Sequence, residues 1–227
     1  MKKVIGQYRT QQKHWVGDGF HVSTLFSYDR LGQVLSPFLM LDYAAPEFFS
    51  PTTTPRGVGA HPHRGFETVT IAYKGEISHR DSHGGGGTIQ TGDVQWMTAG
   101  AGLLHEELHS KAFAQQGGEL EMVQLWVNLP AKDKMTHGKY QAITRSEIPS
   151  IVLDDAGSYL RVIAGQYADA QGAASTFSPV NVWDIQLAAG QQHEFNVPVG
   201  QTCIVVVRQG TVSINQQYQV ADHSFVL

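Results

Sequence analysis

Two pairs of potential metal ligands, each set at i and i+2, constrain this chain more than any other feature: His61 with His63, and His105 with Glu107. Residues two apart in an extended strand share a face, so each pair is a two-toothed clamp. Two clamps on facing strands hold one metal ion, and that requirement points to strands closed around an interior. Imidazole with carboxylate suits a divalent first-row ion such as Fe(II), Mn(II), Ni(II), Cu(II) or Zn(II). Four protein ligands on a six-coordinate ion leave two adjacent positions for water, dioxygen or substrate.

The residues around each clamp sharpen the expectation. Odd positions after His61 and His63 run Gly65, Glu67, Val69, Ile71 and Tyr73, so a parity kept through Pro62 and Gly65 points both imidazoles into the interior that Val69 and Ile71 fill. Pro62 cannot donate to a ladder and belongs at a rim. Gly75 closes the strand, and residues 81–87, rich in glycine, form a turn. Glu107 leads Glu106 as the carboxylate ligand, although a bulge that shifts the register would exchange them. His79 and His83 border the glycine-rich turn and read as surface residues, while His109 is a candidate extension of the site. His14, His21, His137, His193 and His223 lack a ligand-like partner at i+2 and read as ordinary.

Composition excludes several classes. A net charge of −4 gives no basic footprint for direct nucleic-acid binding. The single cysteine, Cys203, rules out a disulfide framework and a thiol-rich zinc cluster. No secretory leader follows Met1, and no apolar run approaches the ~20 residues of a membrane span. A soluble, reducing, cytoplasmic setting is the expectation.

The strings HPHRGFETVT, GDVQWMTAGAGLLHEE and QLWVNLP resemble the pirin branch of the cupin superfamily, most clearly from Pro37 to Tyr140. The resemblance implies that His61, His63, His105 and Glu107 are iron ligands. Common cupins take their carboxylate from the position of Glu67, which the resemblance instead assigns to orienting an imidazole. Thr98 and His109 depart from the general cupin pattern and agree with pirins.

Sliding the chain by 135 positions sets Ile71–Ser78 on Val206–Ser213 with strand, glycine turn and strand in phase. His61 and His63 then fall on Asn196 and Pro198, so the second copy should bind no metal. The expected fold is all-β, a bicupin of two double-stranded β-helix (jelly-roll-like) barrels. Residues 1–130 form the metal-binding domain, 131–145 a linker and 146–227 a degenerate second barrel. The resemblance implies an iron-dependent dioxygenase, similar to quercetin 2,3-dioxygenase, cleaving a flavonol or another small aromatic substrate. Zn, Mn, Ni, Cu and Co are alternative ions, and Glu107 or Glu67 is the proton acceptor. The competing expectation is a non-enzymatic, metal- or redox-dependent regulator that works through a protein partner.

Overall fold

Strands dominate residues 2–227, the part of the chain that the computed structural model describes. Twelve of them precede residue 144: β1 (Gln7–Arg9), β2 (His14–Val16), β3 (Phe20–Ser27), β4 (Phe38–Phe49), β5 (Gly57–His63), β6 (Phe66–Lys74), β7 (Ile77–Asp81), β8 (Gly86–Ile89), β9 (Val94–Thr98), β10 (Leu103–His109), β11 (Gly118–Asn128) and β12 (Lys139–Ile143). Their order is β5-β10-β7-β8 in one sheet and β12-β9-β6-β11-β4-β3-β2 in a larger one. Every ladder in both sheets is antiparallel.

One end of the space between the two layers is filled by apolar side chains, including Phe20, Ala72, Ile77, Ile89, Phe113 and Met122. The rest of that interior holds the histidines, with polar neighbours such as Thr70 and Gln124 and a smaller apolar group of Met97, Ala99 and Leu103. The outer face of the large sheet is not solvated. There Val69, Ile71, Trp96, Leu125 and Val127 pack against Ile163, Val180 and Phe225 of the second half. The middle of β6 and all of β9 are therefore buried on both faces, and such strands carry no clean alternation of apolar and polar residues.

This double burial corrects the single parity expected from His61 to Ile71. The chain leaves one sheet and enters the other at Arg64-Gly65, where Gly65 takes φ +76°. A side chain at that angle would be strained. Beyond the crossover the even positions of β6 face the histidines, and the odd ones face the second half.

After residue 146 the strands are β13 (Ser150–Val152), β14 (Tyr159–Ala164), β15 (Gln166–Tyr167), β16 (Ala170–Gln171), β17 (Val182–Gln186), β18 (Val205–Val207), β19 (Thr211–Ile214), β20 (Tyr218–Ala221) and β21 (Ser224–Val226). They form smaller sheets, among them β13-β14-β17 and β1-β21-β18. The repeat read from the sequence is visible here: β18 and β19 flank Gly210 at φ +78° as β6 and β7 flank Gly75 at φ +82°. The architecture is an all-β bicupin.

Two segments cross the expected boundaries. Residues 131–145, read as a linker, contain β12, which pairs with β9 and extends the large sheet. Near the other end of the chain β1 pairs with β21, joining the N-terminal residues to the second half.

Candidate metal centre

β5 and β10 run antiparallel, setting His61 opposite His105 and His63 opposite Leu103. Between His105 and Glu107 the partner strand advances from His61 to Val58, three residues against two, so β5 carries a bulge at Gly59 and Ala60. β10 thereby keeps strict alternation. Leu103, His105, Glu107 and His109 are buried, while Leu104 is exposed and Glu106 lies 2.7 Å from Arg80 in an ion pair. The structure thus places Glu107, and not Glu106, inside. The two strands approach closely at Gly57, where a Cβ would stand 2.2 Å from the Glu107 carbonyl oxygen.

His61, His63 and His105 each bring a ring nitrogen within 4.8 Å of the other two. Nδ1 of His61 donates to the Gly59 carbonyl at 2.8 Å, which leaves Nε2 as its lone pair. Burial, reinforced by the neighbouring His105 and His61, lowers the His63 pKa to about 3. Burial likewise lowers His105, to about 4, against the pull of Glu107. Both imidazoles are neutral near pH 7. Among the described residues, Nε2 of His63 and both ring nitrogens of His105 and of His79 are buried without a hydrogen-bond partner, a costly state for polar atoms and one that a divalent cation relieves. The donor set therefore fits a metal ion.

Glu107 supplies the negative charge. It is 4% exposed, and burial alone would raise its pKa. A contact from His79 and the charges of His79, His105 and His61 outweigh that and bring it to about 2. Oε1 lies 3.3 Å from Nδ1 of His79, and Nε2 of Gln124 donates to Oε1 and Oε2 at 3.3 Å each. His79, His105 and Glu107 form a second, wholly buried set of three donors that shares His105 with the first.

Comparison with known proteins supplies the family context. The pirin family model matches residues 19–127. A Pseudomonas aeruginosa protein provisionally named a quercetin 2,3-dioxygenase is 57% identical over 217 residues, which is 96% of this chain and 76% of that protein. The chain belongs to the pirin family. A crystal structure of quercetin 2,3-dioxygenase from Acinetobacter baumannii superposes with a TM-score of 0.98 at 65% identity, covering 100% of this chain and 78% of that one. A tomato pirin-like protein is 37% identical over 92% of this chain and 66% of its own length. Family membership together with the His/Glu cluster points to one bound metal ion.

Several expected residues lie elsewhere. Glu67 does not orient an imidazole: it sits on the outer face of β6, where Oε1 accepts from Thr98 Oγ1 at 2.8 Å. Trp96 packs on that same outer face. Phe66 and Met97 lie on the inner one. The tryptophan at the site is Trp126, whose ring centroid is 5.4 Å from that of His63 and 4.6 Å from that of Phe66.

His79 is not a surface residue. It is 5% exposed and stands directly across β7/β10 from Glu107. His83 is exposed, as expected. His109 is buried, but it bonds the Gly19 carbonyl at 2.9 Å among Phe20, Phe49 and Phe113, away from the donor sets. Thr70, Gln124, Trp126 and His79 were all missed by residue type and spacing alone. For His79 a signal existed, since it alternates with buried Ile77 on the same strand. The other three show only when β6 and β11 are paired.

Proposed function

We propose that this chain is a metal-dependent oxidoreductase of dioxygenase type, acting on a flavonol or another small aromatic substrate. One divalent ion, iron first among the candidates, is held by His61, His63, His105 and Glu107. The observation that carries the proposal is the buried cluster of neutral imidazoles with unpaired nitrogens, beside one ionised carboxylate and two aromatic rings. The names of the P. aeruginosa and A. baumannii relatives support the substrate class.

When bound, the ion supplies a Lewis acid for an acidic hydroxyl of the substrate and an electron route to dioxygen. The remaining work belongs to side chains. Phe66 and Trp126, both half-buried, flank His63 and offer flat apolar surface against which an aromatic ring can settle. His61 is half-buried and lies at the rim, whereas His105 and Glu107 close the floor. With its pKa at about 2, Glu107 serves as the charge partner of the cation rather than as the base that holds a proton. Glu67 faces the wrong side of β6 to take that proton. Burial, with Glu107 and Asp81, raises the Tyr140 phenol to about 12, so it stays protonated.

The test is oxygen uptake by the iron-loaded chain over a flavonol panel, with metal content measured on the same samples. Uptake proportional to bound metal is expected. Stoichiometric metal with no uptake on any aromatic substrate would overturn the enzymatic reading in favour of a metal-dependent interaction protein.

A further inference from the structure

Glu107 is held unevenly. Three groups approach Oε1: Thr70 Oγ1 at 3.2 Å, Gln124 Nε2 at 3.3 Å and His79 Nδ1 at 3.3 Å. Among the described residues, Oε2 accepts a hydrogen bond from Gln124 Nε2 alone, at 3.3 Å. Thr70 has a single hydroxyl proton, and its shortest contact is to Oε1 of Gln124 at 2.7 Å. That bond turns the Gln124 amide so that its N–H groups face Glu107. With the Thr70 proton committed there, Gln124 remains as the hydrogen-bond donor to the carboxylate, and the His79 ring stands beside it with Nδ1 3.3 Å from Oε1. Gln124 reaches both oxygens and so cannot tell them apart. His79 comes to 3.3 Å of Oε1.

We infer that His79 is a positioning residue of the metal centre, which fixes Oε1 of Glu107 and leaves Oε2 as the freer oxygen for the cation. The inference rests on the ligand set proposed above. Four observations carry it: His79 is cross-strand to Glu107 in the β7/β10 ladder, it is 5% exposed, its Nδ1 stands 3.3 Å from Oε1, and it is absent from the triad of His61, His63 and His105. Residues that restrain a metal ligand in this way change affinity typically by ~10–100-fold when removed.

Cobalt(II) alone is a suitable probe. Its affinity is read by competition with a chromophoric chelator and its coordination by the visible absorption spectrum. His79→Ala should bind Co(II) ~10–100-fold more weakly and shift the visible bands. His79→Asn, which restores an N–H near the position of Nδ1, should recover both, and it also serves if His79→Ala fails to fold. Pulsed EPR of the Cu(II)-loaded chain should count the same number of imidazoles in wild type and His79→Asn.

A smaller count in the variant would make His79 a ligand and overturn the positioning role. Wild-type affinity and spectrum in His79→Ala would do the same. So would an unrecovered His79→Asn. A wild-type chain that takes up no Co(II), or a Glu107→Gln variant that binds it unchanged, would overturn the ligand set itself. Loss in Glu107→Gln with no change in His79→Ala would remove the present inference alone.

Discussion

Each of the four proposed ligands does a different job, and substitution should expose the difference. His105 is 2% exposed and belongs to both donor sets, so His105→Ala should lose most bound metal. His61→Ala, at the rim, should lose most of it too. His193→Ala and His223→Ala should keep wild-type stoichiometry by elemental analysis, since His193 bonds Tyr167 and His223 packs on Tyr43. Glu107→Gln keeps the volume and removes the charge. It should remain folded, bind metal more weakly and lose most oxygen uptake even when metal is resupplied. The same residues set a pH dependence in the metal-free chain. His63 and His105 hold protons below pH ~6.5 when unfolded but only below about 3 and about 4 when folded. The unfolded chain therefore carries more protons in that window. Stability is full above pH ~6.5 and falls on acidification, by at most about 2–3 kcal/mol per pH unit while both titrate. Urea midpoints between pH 7 and 4 should show this slope, and a His63→Asn/His105→Asn double variant should lose it. Equal slopes in the two chains would refute it.

At the scale of the strand, the site depends on how closely β5 approaches β10. A methyl group on Gly57 would meet the Glu107 carbonyl at 2.2 Å and the Leu108 Cα at 2.6 Å, both backbone atoms that cannot turn aside. Gly57→Ala should cost about 1–3 kcal/mol by overpacking and weaken metal binding by separating the two clamps. Chemical denaturation with metal titration tests both, and an unshifted midpoint would show that the strands yield. The clamps themselves were legible because spacing within one strand needs no partner: His61 with His63 and His105 with Glu107 are same-face pairs whatever lies opposite. Glu67, Val69 and Ile71 were misplaced because parity does not survive a change of sheet, and because the middle of β6 and all of β9 are buried on both faces. Trp126 and Gln124 enter the site through the pairing of β11 with β6, which no pattern within one strand reveals. Glu67 gives this a test. Burial raises its pKa, and its hydrogen bond to Thr98 lowers it less. Glu67→Gln should therefore leave metal content untouched, whereas a residue orienting an imidazole would lower it ~10–100-fold.

The two halves of the molecule are joined by charge as well as by apolar contact. Glu121 on β11 is 2% exposed and accepts from Tyr43 at 2.9 Å, and Arg208 of the second half donates to the same Oε1. The Arg208 guanidinium lies 3.4 Å over the ring of Tyr73, whose hydroxyl donates to Asp184 at 3.2 Å, and Asp184 pairs with Arg161 at 3.1 Å. Removing one member of a buried pair strands its partner's charge and costs about 3–5 kcal/mol, far more than an exposed pair is worth. Arg208→Ala should therefore destabilise the chain by about that much, because Glu121 is left with the neutral donors Tyr43 and Gln209 in place of the guanidinium. Arg208→Ala/Glu121→Gln should recover part of the loss, since the stranded charge is gone. The cycle is read from denaturation midpoints in wild type, both single variants and the double variant. Additive effects would show that Arg208 and Glu121 act independently and that the apolar cluster of Val69, Trp96, Ile163 and Phe225 joins the halves without them.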